Sequence, residues 1–138
     1  MTKTIRQGII RANAIFLLVA AAAGFWTDVL GIFFSTGAQA RIIGSAPNAG
    51  IGFIEAHGLA FIIGILLWRA APLRSWHLTA AGVHVLLGAS NLVFWPIFVA
   101  ADALWAGYVT TTLHWSFVAL QLIAAGSVGA NATAPARA

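Results

Sequence analysis

The chain lacks cysteine and has very little charge. Of its 138 residues, three are acidic and seven are Lys or Arg, while 61% are hydrophobic. The absence of cysteine excludes disulfides, thiolate metal ligands and thiol nucleophiles. A soluble domain of this size has too little interior to hide so much apolar surface, so its solvent must be lipid. The basic residues flank apolar runs, which indicates membrane topology and not nucleic-acid binding.

Long apolar runs predict an all-α integral membrane protein. The whole chain is expected to form one domain, a four-helix transmembrane bundle. Each run is close to the roughly 20 residues that cross the hydrocarbon layer. The predicted spans are residues 9–34, 51–68, 77–99 and 103–125. Residues 35–50 form the longest polar connection, with a short interfacial helix expected near 41–43. The small, polar tail 126–138 is expected to be disordered.

The distribution of basic residues predicts the orientation of the bundle. Four spans place both termini on one side, and only Arg41 lies on the other. The six basic residues on the terminal side are Lys3, Arg6, Arg11, Arg69, Arg74 and Arg137. Cytoplasmic segments carry the excess of Lys and Arg, so both termini are expected to be cytoplasmic. The expected location is a bacterial cytoplasmic membrane.

The second span carries two ionisable residues, Glu55 and His57, in its first third. Such groups are costly inside a membrane and suggest a functional site. At 100° per residue, His57 shares a face with Ala60 and Gly64, while Glu55 points to another side. The small residues below His57 would leave a slot for a flat ligand. Alternatively, they let a neighbouring helix approach closely.

Polar side chains from all four predicted spans are expected to converge in the outer half of the bundle, as judged from a rise of about 1.5 Å per residue. The polar side chains expected there are Asp28, Glu55, His57, Asn91 and His114. His84 is expected nearer the cytoplasmic face in a structural role. His77 is expected at the inner interface, exposed to solvent.

Several kinds of chemistry fit this set. A neutral imidazole is a good ligand for haem iron, and a nearby carboxylate would fix its ring. Zinc is less favoured, because no two His or acidic residues on one helix have the i, i+4 spacing of a chelating pair. Glu55 and His57 together could shuttle a proton in an isomerase without a cofactor. Glu55 alone could drive proton-coupled export. In a structural accessory subunit, the polar residues would only bond helix to helix.

Two short motifs resemble those of the small four-helix membrane styrene oxide isomerases. They are Ala56-His57-Gly58 at the start of the second span and Ser90-Asn91-Leu92-Val93-Phe94-Trp95 in the third. The resemblance covers roughly residues 10 to 110. It implies a homotrimer with haem b between neighbouring subunits. His57 would be the axial ligand, and ferric iron would act as a Lewis acid that opens an epoxide to a carbonyl compound.

The resemblance also implies individual roles and two departures. Asn91 matches a polar position of the family's third helix. The family's substrate-orienting Asn on the second helix falls at Ile63, and its Tyr on the third helix falls at Trp95. The groups that orient an epoxide are therefore absent at those two positions, although haem binding would survive both changes.

These arguments lead to one hypothesis and two alternatives. The hypothesis is a haem-b-binding membrane protein that takes a small hydrophobic substrate from the bilayer. If it is an enzyme, the expected reaction is isomerisation of an epoxide to a carbonyl compound. The expected catalytic residues are Asn91, Trp95 and Glu55. The expected cofactor-binding residues are His57, which would ligate the metal, with Ala60, Gly64 and His114. The alternatives are a proton-coupled transporter or lipophile-binding protein that uses Glu55, and the accessory subunit.

Overall fold

The computed structural model describes residues 1–45 and 48–130, and within these ranges the protein has helices and no strands. The six helices are α1 (Lys3–Phe34), α2 (Gly37–Ser45), α3 (Ala49–Arg69), α4 (Arg74–Val93), α5 (Trp95–Ala100) and α6 (Leu104–Ala130). The predicted all-α class is confirmed.

Helix α1 is longer than a bilayer requires. Its 32 residues extend about 48 Å at 1.5 Å per residue. The Thr2 hydroxyl caps its first turn by accepting a hydrogen bond from the backbone N–H of Ile5. Ser35 ends the helix in the left-handed region at φ 53°, and Gly37 follows with φ 81°. This reversal turns the chain back, so that α2 can pack against α1.

Three helices of the described chain are long and apolar enough to cross a membrane, namely Lys3–Phe34, Ala49–Arg69 and Leu104–Val128. This finding indicates an integral membrane protein. Helix α4 is not among the three, because His77, His84 and Asn91 lower its hydropathy.

The observed elements differ from the predicted ones in three places. The predicted span 77–99 is divided at Phe94 into α4 and α5. Pro96 explains the division, because its ring would clash with a carbonyl in a continuous helix but is tolerated in the first turn of α5. The connection 35–50 is largely helical, since it contains all of α2. Helix α6 continues to Ala130, and the rest of the predicted disordered tail lies outside the described residues.

The helices form two antiparallel pairs. Helix α1 packs mainly on α3, and α4 packs mainly on α6, while α1 also contacts α4 and α6. A buried apolar cluster lies near the N-terminal end of α1, and it consists of Ile10, Ala14, Leu17, Leu67, Ala70 and Ala80. At the other end of α1, Gly31 lets the backbone of α2 approach closely, since a Cβ there would lie 2.9 Å from the Ala40 nitrogen. The α1–α3 seam and the α2 contact position the site described below.

Candidate functional site

His57 on α3 is joined to Asp28 on α1. The Nδ1 atom of His57 lies 2.5 Å from Oδ2 of Asp28, whose side chain is fully buried. The other carboxylate oxygen, Oδ1, accepts a 2.7 Å hydrogen bond from Nε2 of Gln39 on α2. Three helices therefore meet at one buried carboxylate, and the imidazole is fixed through its Nδ1 atom.

Gly24 provides the surface on which the His57 ring lies. A Cβ added at Gly24 would stand 2.3, 2.4 and 2.7 Å from Nε2, Cδ2 and Cε1 of that ring. Three nearly equal distances put this Cβ position over the face of the ring and not beyond its edge. The imidazole thus lies flat on the α1 backbone, where any larger residue would displace it.

The Nε2 atom of His57 is available for a ligand. It makes no hydrogen bond with the described residues, and 31% of the His57 side chain is exposed. Because a carboxylate accepts from a ring N–H, the Asp28 contact places the proton of a neutral His57 on Nδ1 and leaves the Nε2 lone pair free. Metal-ligating histidines have this arrangement, with the second nitrogen bonded to a carboxylate that fixes the ring and raises its basicity.

An open apolar groove lies next to this pair. It is lined by Ile32, Phe33, Gly50, Ile51 and Ile54. Ile32 lies one helical turn beyond Asp28, and Ile54 one turn before His57, so the groove adjoins the pair along both helices. A hydrophobic molecule that reaches His57 from this direction would contact hydrocarbon side chains.

The other predicted residues of α3 have different surroundings. Gly64 is buried against α1, where an added Cβ would lie 2.9 Å from Cγ of Leu18. Ala60 is half-buried. This face therefore packs against α1, which agrees with the close-approach interpretation of its small residues. Glu55 lies on an exposed face and makes no hydrogen bond or ion pair with the described residues.

The remaining predicted site residues lie on α4, α5 and α6. The Nδ2 of Asn91 donates a 3.0 Å hydrogen bond to the Thr110 hydroxyl. Trp95 packs edge-on against the Tyr108 ring, with centroids 4.9 Å apart. Among the described residues, no hydrogen bond or ring contact joins His57 to Asn91, Trp95 or His114. The structure thus brings Asp28 and His57 together, as predicted, and leaves Glu55, Asn91 and His114 apart from them. The predicted roles of these three residues and of Trp95 stay predictions.

A second polar cluster is more extensive than the sequence suggested. It is fully or almost fully buried and joins His77, Gln121, Asn13, His84 and His114 by hydrogen bonds. The prediction of a solvent-exposed His77 is wrong, because this residue is completely buried against Gln121. The missed signal was the seven-residue spacing of His77 and His84 on α4, which matches that of Gln121 and His114 on antiparallel α6.

The potential metal ligands of the described residues occur singly or in pairs. The described residues contain no group of three or more His, Cys, Asp or Glu side chains that could hold a metal ion. A macrocycle that supplies four nitrogens of its own needs only one axial ligand from the protein. His57 could be such a ligand. Comparison of the chain with protein-family models, curated proteins and solved structures gave no match.

Proposed function

We propose that this protein is a haem-b-binding membrane protein in which Nε2 of His57 is the axial ligand. One observation carries the proposal: a partly exposed imidazole has its Nδ1 bonded to a buried carboxylate and its Nε2 unbonded. Iron would bind at that nitrogen, and the flat contact with Gly24 would keep the ring from turning. The apolar groove beside the pair suits the hydrocarbon parts of a porphyrin or of a substrate.

The resemblance to the styrene oxide isomerases gives this proposal its reaction class. Bound ferric haem would supply a Lewis acid for an epoxide oxygen. Asp28 would accept the Nδ1–H of His57, hold the ring in one tautomer and increase electron donation from Nε2. The apolar groove would admit a small epoxide from the bilayer and exclude water from it. The product would be the isomeric carbonyl compound, without net redox change.

We also propose that α4 crosses the membrane, in addition to the three helices that are apolar enough to do so. Helix α4 pairs with α6 at three levels, through His77 with Gln121, His84 with His114, and Asn91 with Thr110. If α6 crosses the membrane, α4 lies at the same depth. Buried polar groups in a membrane must be hydrogen-bonded, and these side chains bond to one another. We therefore propose four spans with both termini in the cytoplasm.

The proposed assembly is a homo-oligomer, a trimer if the resemblance holds. Within one chain, His57 makes no contact with Asn91 or Trp95. A neighbouring copy would bring its α4 and α5 to the exposed edge of His57, so that both sets of residues act on one substrate. Haem held between copies would also cover apolar surface that a monomer exposes to lipid.

The test is the visible spectrum of His57→Ala beside that of Glu55→Gln. Glu55→Gln is the matched control, because Glu55 is exposed on the same helix and makes no hydrogen bond or ion pair with the described residues. We expect His57→Ala to lose the Soret band and Glu55→Gln to keep it. Exogenous imidazole should restore the band in His57→Gly, which separates loss of a ligand from loss of the fold. Full haem content in His57→Ala, with the fold intact, would rule out the proposed ligand.

A second candidate function is favoured by the isolation of Glu55. An unpaired carboxylate on an exposed face of a membrane helix is costly and marks ion or proton pathways. A proton-coupled transporter of this kind would lose transport in Glu55→Gln and keep it in His57→Ala. The haem proposal predicts loss of the Soret band in His57→Ala and not in Glu55→Gln, so the same pair of variants separates the two functions.

A further inference from the structure

Five side chains form one unbranched chain of hydrogen bonds through the interior, which we call the buried polar chain. Its members, in order, are His77, Gln121, Asn13, His84 and His114. The successive atom pairs are His77 Nδ1 with Gln121 Oε1 at 2.5 Å, Gln121 Nε2 with Asn13 Oδ1 at 2.8 Å, Asn13 Nδ2 with His84 Nε2 at 2.5 Å, and His84 Nδ1 with His114 Nδ1 at 2.8 Å. The buried polar chain connects α4, α6 and α1, and its central member, Asn13, joins the two helix pairs.

With the two amides oriented as they are in the structure, counting protons gives every bond one direction. Asn13 Nδ2 can only donate, so His84 Nε2 must accept and a neutral His84 must carry its proton on Nδ1. His84 then donates to His114 Nδ1, which leaves the proton of His114 on Nε2. At the other end Gln121 Oε1 can only accept, so His77 donates from Nδ1. All four bonds therefore point from His77 towards His114.

The opposite direction satisfies the same bonds. A half-turn of each amide exchanges its oxygen and nitrogen, and the three imidazoles exchange tautomers to match. His114 then donates to His84, and the series ends with Gln121 donating to His77. A mixed state leaves two donors or two acceptors facing each other inside the protein, which costs more than the bond it loses. The chain thus has two complete states and no inexpensive intermediate.

We propose that the buried polar chain is a two-state relay that couples the tautomer of His114, in the membrane interior, to that of His77, near the inner end of α4. The two histidines lie about two turns apart along the helices, roughly 10 Å. In one state the buried Nε2 of His77, which has no partner among the described residues, is an acceptor. In the other it carries a proton. A donor or acceptor at either end therefore sets the state of the other end.

The relay transmits the direction of its hydrogen bonds from one end to the other, and it does not transfer protons. An amide can turn, but it does not pass a proton from its oxygen to its nitrogen at low cost, so Gln121 and Asn13 interrupt any proton path. Phe117 stacks on His84, and Phe16 packs against the same ring at a tilt. No carboxylate, lysine or arginine side chain bonds to any of the five members within the described residues. The chain consequently responds to hydrogen-bonding partners at its ends.

The experiment is nitrogen-15 NMR of the full-length protein labelled at its histidines. The spectrum reports which nitrogen of each ring carries the proton. We expect His77 and His84 to share one tautomer and His114 to have the other. This expectation holds for both directions of the hydrogen bonds. His77 with its proton on Nδ1 beside His84 with its proton on Nε2 would overturn the relay.

The variant Asn13→Ala tests the coupling itself. It removes the central link and should allow His77 and His84 to adopt different tautomers, while His84 and His114 stay opposite. Asn91→Ala is the matched control, because among the described residues the Asn91 side chain bonds to Thr110 and to no member of the buried polar chain. This variant should leave the wild-type pattern. A wild-type pattern retained in a folded Asn13→Ala protein would contradict the proposal. If Asn13→Ala does not fold, Gln121→Ala breaks the chain at its neighbour and makes the same prediction. None of these readouts depends on haem.

Discussion

At the residue scale, the central feature is the pair formed by Asp28 and His57. Asp28 is fully buried, yet it is bonded on both oxygens, by His57 and by Gln39. A buried polar group is tolerated when it is hydrogen-bonded, and both oxygens of Asp28 meet this condition. The cluster occupies a membrane helix without an unsatisfied group on the carboxylate. On the imidazole, Nε2 makes no hydrogen bond with the described residues, and it is the atom that a metal would take.

The sequence identified His57 and placed Asp28 at its depth, because depth follows from residue spacing and helix rise. It did not identify Gln39, which lies in a stretch predicted to be a loop. The contribution of Gly24 was also missed, since only the packed structure shows which ring lies on which glycine. His84 and His114 were assigned separate depths because the pairing of α4 with α6 has to be known before their rings can be placed face to face.

Gly24→Ala should weaken haem binding while leaving His57 itself unchanged. The new methyl group would stand 2.3 Å from Nε2 of His57, so the ring would have to move away. We expect haem affinity to fall by about tenfold or more, as for changes in the groups that orient a metal ligand. Haem titration of the purified protein measures this change. Gly8→Ala on the same helix has open space around it, and equal affinity in both variants would contradict the assigned contact.

Asp28→Asn should leave haem bound and raise its midpoint potential. The amide keeps the shape of the side chain but accepts a weaker hydrogen bond from Nδ1–H, so Nε2 donates less electron density to the iron. Less donation stabilises ferric iron less, and reduction becomes easier. A potentiometric titration of wild type and variant measures the shift. An unchanged or lower potential would show that the carboxylate does not act on the iron through His57.

At the element scale, the seam between α1 and α3 holds the site in place. Gly64 lies seven residues after His57 on α3, and Gly24 lies four residues before Asp28 on α1. Both glycines let side chains of the facing helix approach. The sequence suggested this seam through its small residues. It did not separate α4 from α5, because Pro96 is compatible with either a bend or a break, and the surrounding packing decides which occurs.

Gly64→Ala should destabilise the protein. An added Cβ would lie 2.9 Å from Cγ of Leu18 and 3.2 Å from the Leu18 backbone nitrogen, and a backbone atom cannot move aside cheaply. Forcing an extra carbon into such a contact costs about 1–3 kcal/mol. Thermal unfolding in detergent should show a lower midpoint. Gly58→Ala is the control on the same helix, with nothing near its Cβ position, and a Gly64→Ala midpoint at or above that of Gly58→Ala would contradict the seam.

At the scale of the whole molecule, two helix pairs are held together by polar as well as apolar contacts. Asn13 bonds both to His84 on α4 and to Gln121 on α6. In lipid these bonds replace part of the hydrophobic driving force that would join the pairs in water. The composition predicted the membrane environment reliably, because it depends on the sum of all residues. The joining of the pairs depends on five particular side chains and could not be read from that sum.

The proposed topology can be tested because the chain has no native cysteine. Single cysteines at Thr4, Thr36, Ser75 and Leu104, all exposed positions near helix ends, can be labelled in intact cells with a membrane-impermeant maleimide. Four spans predict labelling at Thr36→Cys and Leu104→Cys, and protection at Thr4→Cys and Ser75→Cys. Protection at Leu104→Cys with labelling at Thr36→Cys would mean that α4 does not cross the membrane.

The most direct measurement for the central claim is the visible absorption spectrum of the purified wild-type protein, before and after dithionite. The account predicts a Soret band that shifts on reduction and is lost in His57→Ala. A protein that is colourless as purified and stays colourless after haem is added would contradict it.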